Sequence, residues 1–457
     1  MEVTTVVSEG LAALSYFVES KGEAMVIDPR RDAQIYEEMA IQRNSGIKYV
    51  FETHRNEDLI IGSVELQSLI PSLEIGHSKH GAPFKYGDHD IADGEKFEVG
   101  DLEIECLYTP GHTNDSICYV VTDTSTGDNP LAVFTGDTLF VNDVGRTDLV
   151  DIKKHEEQSR KLYHSLHDKV LELPDGVIVY PAHGAGSVCG ADMAARPVTT
   201  IGYERENNPR LQKDEEEFVE GRLNANLMIP DYFTRCEVYN LEGPPLLSEV
   251  QRPRLLEMRT FEELMQEDNH VVIDIRTPSS FVSKHIPDSM FMGLQMMGIF
   301  LGWVSDYNDH YLVVAEKPSQ LETAWNYMVR LGYDNFVGAL AGGLMGWEHS
   351  GRQVASIGHP SAPELKQWMN DNGLQIIDVR EEHEANGNFI PGTKLTPLTE
   401  IRDHIGDLDP DKKTVSVCPS GFRSTIGASI LKRSDFKDVA VPLGGTHAWA
   451  NNGYVLV

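Results

Sequence analysis

The heptapeptide THRNEDL, residues 53–59, follows the apolar run IKYVF (47–51) and one acidic residue. A run of β-branched and aromatic residues reads as a strand, and the polar residues crowded at its end read as a loop carried on a rigid sheet. His54 and Asp58 in one such loop open a candidate metal site. Three further motifs repeat the arrangement: His112 in TPGHT (109–113), Asp137 in FTGDTLF (134–140) and His183 in YPAHG (180–184), each after a strand-like stretch. A lone histidine is more often packed or solvent-exposed than a ligand. Four motifs in this order are a different matter. The stretches TTVV (4–7), LSYFV (14–18) and AMVID (24–28) read as earlier strands, and DAQIYEEMAIQRN (32–44) as a helix.

A chain of 457 residues with 40% apolar residues is too long for a single core and suggests about three domains. With 39 Lys+Arg against 71 Asp+Glu, its net charge of -32 repels phosphate backbones and anionic lipid, so neither nucleic acid nor a membrane surface is an expected partner. The five cysteines, Cys106, Cys118, Cys189, Cys236 and Cys418, are widely spaced and odd in number. They do not read as a disulfide framework, which fits a reducing cytoplasm. The first residues carry no basic n-region. The longest apolar stretch, MFMGLQMMGIFLGWV (290–304), is too short to span a bilayer and reads as a buried or interface helix.

The C-terminal half is duplicated. VVIDIR (271–276) recurs as QIIDVR (375–380), HIP (285–287) as FIP (389–391), and GGLMGWEHSG (342–351) as GGTHAWANNG (444–453), at an offset of 102 to 104. Each unit is expected to open on a capping box, Thr260 with Glu263 and Ser361 with Glu364, before a helical stretch and a strand ending in Asp-x-Arg. The proline-rich NLEGPPLLSEVQRP (240–253) suits an interdomain connection. Residues 1–245, 255–355 and 360–457 are therefore expected to form three α/β domains.

The order T-H, T-P-G-H-T, T-G-D and P-A-H-G resembles the metallo-β-lactamase fold, an αββα sandwich. Binuclear zinc hydrolases of that fold carry T-H-x-H-x-D-H in the first loop, where this chain has Asn56 and Leu59 in place of two histidines. The resemblance thus leaves both zinc positions short of a ligand. His54, His112 and Asp137 remain, two imidazoles and one carboxylate, a set that suits one non-haem Fe(II) with open positions. That triad resembles the persulfide dioxygenases. In GDTLFVNDVGRTDL (136–149), Arg146 matches an arginine near the bound substrate in that family, where it would steer an anionic persulfide. Its alternative reading is a structural partner of Asp143 or Asp148. The resemblance places Asp58 and His183 around the metal or the substrate pocket. Cys189 in HGAGSVCG (183–190) is a candidate relay thiol or a buried one.

In the second repeat, VSVCPSGFRS (415–424) sets Cys418, Gly421 and Arg423 at the mouth of a helical stretch. Free backbone N–H groups and the positive end of the helix dipole favour a thiolate or persulfide there, and Arg423 adds a charge for an oxyanion. With IIDVR before it and GGTHAW after it, the segment resembles a rhodanese, a sulfurtransferase. The 102-residue offset sets Glu316 against Cys418 and Leu321 against Arg423, so the first repeat keeps no nucleophile. It reads as a spacer or a dimerisation surface, the latter making a homo-oligomer.

The whole order resembles the bacterial persulfide dioxygenase and sulfurtransferase fusions. It implies oxidation of a low-molecular-weight persulfide by O2 at one Fe(II) per chain, with Zn as the alternative ion. Sulfite is the product, and Cys418 passes sulfur to it as thiosulfate. Two other readings differ in class: a metal-dependent thioester hydrolase of glyoxalase II type, and a non-catalytic sulfur-binding sensor or scaffold.

Overall fold

The computed structural model describes every residue except 191, 226, 227, 371 and 372. The described residues group into two compact units, Met1–Glu249 with Val329–Gly332, and Val250–Met328 with Tyr333–Val457.

The first unit holds two six-stranded sheets. One runs β1 (Glu2–Ser8), β2 (Ala13–Ser20), β3 (Glu23–Ile27), β4 (Gly46–Phe51), β5 (Glu74–Ser78) and β6 (His89–Ile91) in sequence order. The other runs from β7 (Lys96–Val99) through β8 (Leu102–Tyr108), β9 (Ile117–Asp123), β10 (Ala132–Gly136) and β11 (Ile178–Pro181) to β12 (Thr199–Thr200). The period-2 alternation of their strands makes the layers. Tyr16 and Val18 share one core with Ile104, Tyr119, Val121 and Phe134 of the other sheet. The intervening Phe17 packs outward against Tyr36 and Ala40 of the helix Gln34–Arg43. Cys118, Val120 and Val133 pack outward against Leu162 and Leu166 of the helix His155–His167. This is the expected αββα sandwich. The polar motifs follow β4, β8, β10 and β11, so the layering itself gathers them at strand ends.

The second unit contains two all-parallel sheets of matching order. In the first, β13 (Leu255–Leu256), β17 (Phe336–Leu340), β16 (His310–Val314), β14 (His270–Asp274) and β15 (Met290–Phe291) are neighbours. The second runs β19 (Thr393–Leu395), β18 (Leu374–Asp378), β20 (Lys413–Val417), β21 (Val439–Ala440). The Asp-x-Arg signature closes an interior strand of each, β14 and β18. Arg276 reaches Asp274 at 2.6 and 2.9 Å and the Lys284 carbonyl at 2.7 Å. Arg380 treats Asp378 and the Asn388 carbonyl in the same way. One expectation fails. Ser361 and Glu364 form a full capping box on the helix Ala362–Trp368, but the helix Met258–Leu264 starts two residues before Thr260, with Glu257 as its N-cap and no side-chain cap. The apolar stretch 290–304 supplies β15 and a largely buried helix, Leu294–Val304. Among the described residues no helix is long and apolar enough to cross a membrane.

Candidate metal centre and thiol loop

Hydrogen bonds behind each imidazole decide which nitrogen faces inward. Asp28 accepts from the Thr53 amide at 2.8 Å and from its hydroxyl at 2.7 Å. With its proton committed to Asp28, the Thr53 oxygen accepts from His54 Nδ1 at 2.9 Å, leaving Nε2 bare. Burial holds His54 neutral, its pKa lowered to about 3. His112 Nδ1 donates to the Arg146 carbonyl at 2.8 Å, so its Nε2 also points inward. Asp137 Oδ1 accepts from His183 Nδ1 at 2.7 Å and turns Oδ2 toward the imidazoles.

The result is a convergent set. His112 Nε2 lies 3.4 Å and His54 Nε2 3.9 Å from Asp137 Oδ2, and the three atoms all lie within 4.8 Å of one another. All three are buried without a hydrogen-bond partner among the described residues. Burying such atoms bare is costly, and a shared cation would resolve the arrangement. Burial pulls His112 down, yet Asp137 and Glu57 outweigh it and raise its pKa to about 9. Burial opposes ionisation of Asp137 too, but the imidazoles of His183 and His112 hold it well below the usual carboxylate range. A divalent ion would displace the His112 proton and take over this stabilisation. The donor set fits a metal.

Two glycines permit the approach. A Cβ on Gly145 would stand 2.0 Å from the Asp137 carbonyl oxygen, and one on Gly136, at φ +53°, would stand 2.6 Å from Thr53 Oγ1. Beside the triad, Asp58, His183 and the Cys189 thiol also lie within 4.8 Å of one another. His183 Nε2 is 2.9 Å from Asp58 Oδ2, although neither atom has hydrogen-bond geometry. Burial pushes the Cys189 thiol well up, and the nearby Asp58 and Asp137 add to it.

Asn56 and Leu59 have other work. The Asn240 amide donates to the carbonyls of both at 2.7 Å, and the Asn56 side chain turns back to the His54 carbonyl at 3.3 Å. Glu57, which the sequence reading passed over, is buried and puts Oε2 3.6 Å from His112 Nε2. An acidic residue beside the missing histidine was the available signal. Arg146 is brought close, but by its backbone. Its guanidinium grips Asp148 through two bonds of 2.7 Å and donates to the carbonyls of Val188 and Met228. The geometry therefore matches the structural alternative for this side chain.

Cys418 follows β20 directly and is buried. Its Sγ accepts from the Gly421 amide at 3.1 Å and lies 3.4 Å from Ser424 Oγ, at the start of the helix Phe422–Arg433. A Cβ on Gly445 would stand 1.8 Å from the Cys418 carbonyl, which explains the glycine there. Arg423 is gripped by both oxygens of Glu384, a partner that sequence spacing did not reveal. In the first repeat the corresponding loop is filled by its own side chain: Gln320 Oε1 accepts from the amides of Glu316 and Lys317 at 3.0 and 2.8 Å.

Comparisons with known proteins agree with this architecture. Residues 9–183 match the metallo-beta-lactamase superfamily, and residues 257–350 and 361–452 each match the rhodanese-like domain. The fold and its histidine and aspartate cluster define a metallo-β-lactamase-type protein with a metal-binding group and two rhodanese-like domains. The mitochondrial persulfide dioxygenase ETHE1 of Bos taurus is 35% identical over 46% of this chain and 74% of its own length. The probable hydroxyacylglutathione hydrolase glo2 of Schizosaccharomyces pombe is 32% identical over 34% of this chain and 56% of its own. A metallo-beta-lactamase of Staphylococcus aureus subsp. aureus COL shares the fold, at a TM-score of 0.66 and 24% identity, over 74% of this chain and 98% of that one. The chain belongs to the persulfide dioxygenase family of the metallo-β-lactamase superfamily, fused to two rhodanese-like domains, as the resemblance implied.

Proposed function

We propose that residues 1–245 oxidise a low-molecular-weight persulfide with O2 at one Fe(II) held by His54, His112 and Asp137, and that residues 360–457 transfer sulfur through Cys418. Residues 255–355 are a rhodanese-like domain without this chemistry. The observation that carries the reading is the convergence of two imidazole nitrogens and one carboxylate oxygen, all buried and unpartnered among the described residues, in a chain related to persulfide dioxygenases. When bound, ferrous iron supplies open positions that bring the persulfide sulfur and dioxygen together.

The chain's own residues prepare that meeting. Thr53 and the Arg146 carbonyl fix the two tautomers, and His183 orients Asp137 from behind. The overall oxidation is RSSH + O2 + H2O giving RSH, sulfite and two protons. In the second step the Cys418 thiolate attacks the outer sulfur of another RSSH. The S–S bond breaks, RSH leaves with the proton, and the Cys418 persulfide then gives its outer sulfur to sulfite, forming thiosulfate and restoring the thiolate. The Gly421 amide steadies the negative sulfur at each stage. The five free cysteines support a reducing, cytoplasmic setting.

Thioester hydrolysis at two zinc ions would need the imidazoles that Asn56 and Leu59 replace. The test is metal analysis of anaerobically purified protein together with oxygen uptake on a persulfide. One iron per chain and sulfite formation are expected. Two zincs per chain without oxygen uptake would overturn the reading. His112→Ala should lose oxygen uptake by at least about 100-fold while Cys418 still accepts sulfur from thiosulfate.

A further inference from the structure

We propose that Glu384 is a specificity-determining residue of the Cys418 loop, where it competes with anionic sulfur substrates for the guanidinium of Arg423. The proposal rests on Cys418 as the sulfur carrier and adds a control over which substrates it accepts.

A guanidinium recognises an oxyanion through two parallel N–H donors, and that edge fits a carboxylate as well as a sulfur oxyanion. Glu384 already holds it. Arg423 Nη1 donates to Glu384 Oε2 and Nη2 donates to Oε1, the latter at 2.9 Å, so the carboxylate covers the end of the fork. One edge cannot serve two anions. The side chains of Arg423 and Glu384 are 16% and 34% exposed, which leaves the pair open to a dissolved anion. Burial lowers the Arg423 pKa, Glu384 more than offsets it, and Cys418 adds a smaller pull, which puts the guanidinium within electrostatic reach of the sulfur.

The competitor is fixed in place. Glu384 is the third residue of the short helix Glu382–Ala385, and its Oε2 also accepts from the Glu381 amide at 3.0 Å as half of a capping box. Burial opposes a charge on Glu384, yet Arg423 and the Glu381 amide outweigh it and hold its pKa below the usual carboxylate value. An incoming anion must therefore draw Arg423 away from a carboxylate that stays charged and anchored. The duplicated half separates this pair from the needs of the fold. At the 104-residue offset of the Asp-x-Arg strands, Ser280 stands where Glu384 does, as the third residue of the helix Pro278–Ser283, and Leu321 stands opposite Arg423. The repeat without the thiol keeps the sheet order and has neither partner. The pair goes with the nucleophile.

The test alkylates the full chain with iodoacetamide, which is neutral, and with iodoacetate, which is anionic, and follows the Cys418 peptide by mass spectrometry. Both reagents consume the thiolate, so the ratio of their rates reports recognition of charge and not ionisation of the thiol. Glu384→Gln, nearly isosteric and still able to accept from the Glu381 amide, should raise the iodoacetate rate relative to iodoacetamide by about 3- to 10-fold. It should lower by a similar factor the thiosulfate concentration that half-saturates sulfur loading, in which the Cys418 thiolate attacks the outer sulfur and sulfite leaves with the electron pair of the broken S–S bond. Glu384→Asp, with its charge on a shorter arm, should move both in the same direction by less, and it carries the comparison should the glutamine variant fail to fold. A parent-like ratio in the folded variants, or both reagents accelerating together, would overturn the role of Glu384. A parent chain that is alkylated at Cys418 yet takes no sulfur from thiosulfate would instead overturn Cys418 as the sulfur carrier.

Discussion

Arg146 is almost fully buried and spends its guanidinium on Asp148 and two backbone carbonyls, while its own carbonyl holds His112. Burial raises the cost of a charge on Asp148, but the paired guanidinium more than offsets it and lowers its pKa. Breaking such a pair from one side leaves a buried charge exposed to nothing, at about 3–5 kcal/mol. Lysine keeps the charge but loses the fork, so Arg146→Lys should destabilise the first unit by roughly 2–4 kcal/mol in urea unfolding, with the persulfide KM unchanged. A tenfold rise in KM at unchanged stability would show that the side chain anchors substrate, as the family resemblance implied. This residue marks the limit of motif reading. His54, His112, Asp137 and His183 were legible because each closes a strand that the alternation defines. Glu57 and Glu384 were not, because their importance lies in which neighbour they face. The family resemblance set the Arg146 side chain near the substrate, and it could not say that the Arg146 carbonyl would orient His112.

At the scale of elements, the duplicated half tests the same sequence logic twice. The Asp-x-Arg strands read directly, since both repeats keep the residues that make them. The capping box was legible in one repeat and misleading in the other, because a helix that begins two residues early turns Thr260 into an interior position. HIP and FIP offer a sharper comparison. His285 exchanges backbone hydrogen bonds with Ala355, as Phe389 does with Val457, so the two share a structural position. His285 is buried, stacks on Phe281 at 4.1 Å and donates Nδ1 to the Phe281 carbonyl at 2.8 Å. Burial lowers its pKa against the weaker pull of that bond, and Arg276 adds to the lowering. A base with a depressed folded pKa gives stability that is complete above its unfolded pKa of about 6.5 and is lost as pH falls toward the folded value, because the unfolded chain binds the proton first. The second unit should therefore weaken below about pH 6.5. His285→Phe, borrowing the residue of the other repeat, should flatten that slope while costing about 1 kcal/mol at pH 7.5 for the lost hydrogen bond. Urea midpoints across pH measure this, and an unaltered slope in the variant would assign the acid sensitivity elsewhere.

On the scale of the whole molecule, one chain carries a hard, oxygen- and nitrogen-lined centre and a soft thiol loop, in separate compact units. The two chemistries need different surroundings. A metal centre is built by burying unpartnered ligand atoms, whereas a sulfur carrier needs a nucleophile presented at a helix start. Separation lets each be removed without touching the other, and Cys418→Ser is the cleanest cut. A serine hydroxyl neither ionises near neutral pH nor forms a persulfide, yet it fits the same space beside Gly421 and Ser424. Oxygen uptake should continue at the parent rate. Sulfite should accumulate where thiosulfate is expected from the parent, and an added independent rhodanese should restore thiosulfate. Substrate-only controls remove the contribution of spontaneous coupling between persulfide and sulfite. An unchanged thiosulfate yield from the serine variant would move the transfer to another thiol. Cys189, buried against Asp58 and His183, would then be the residue to replace next.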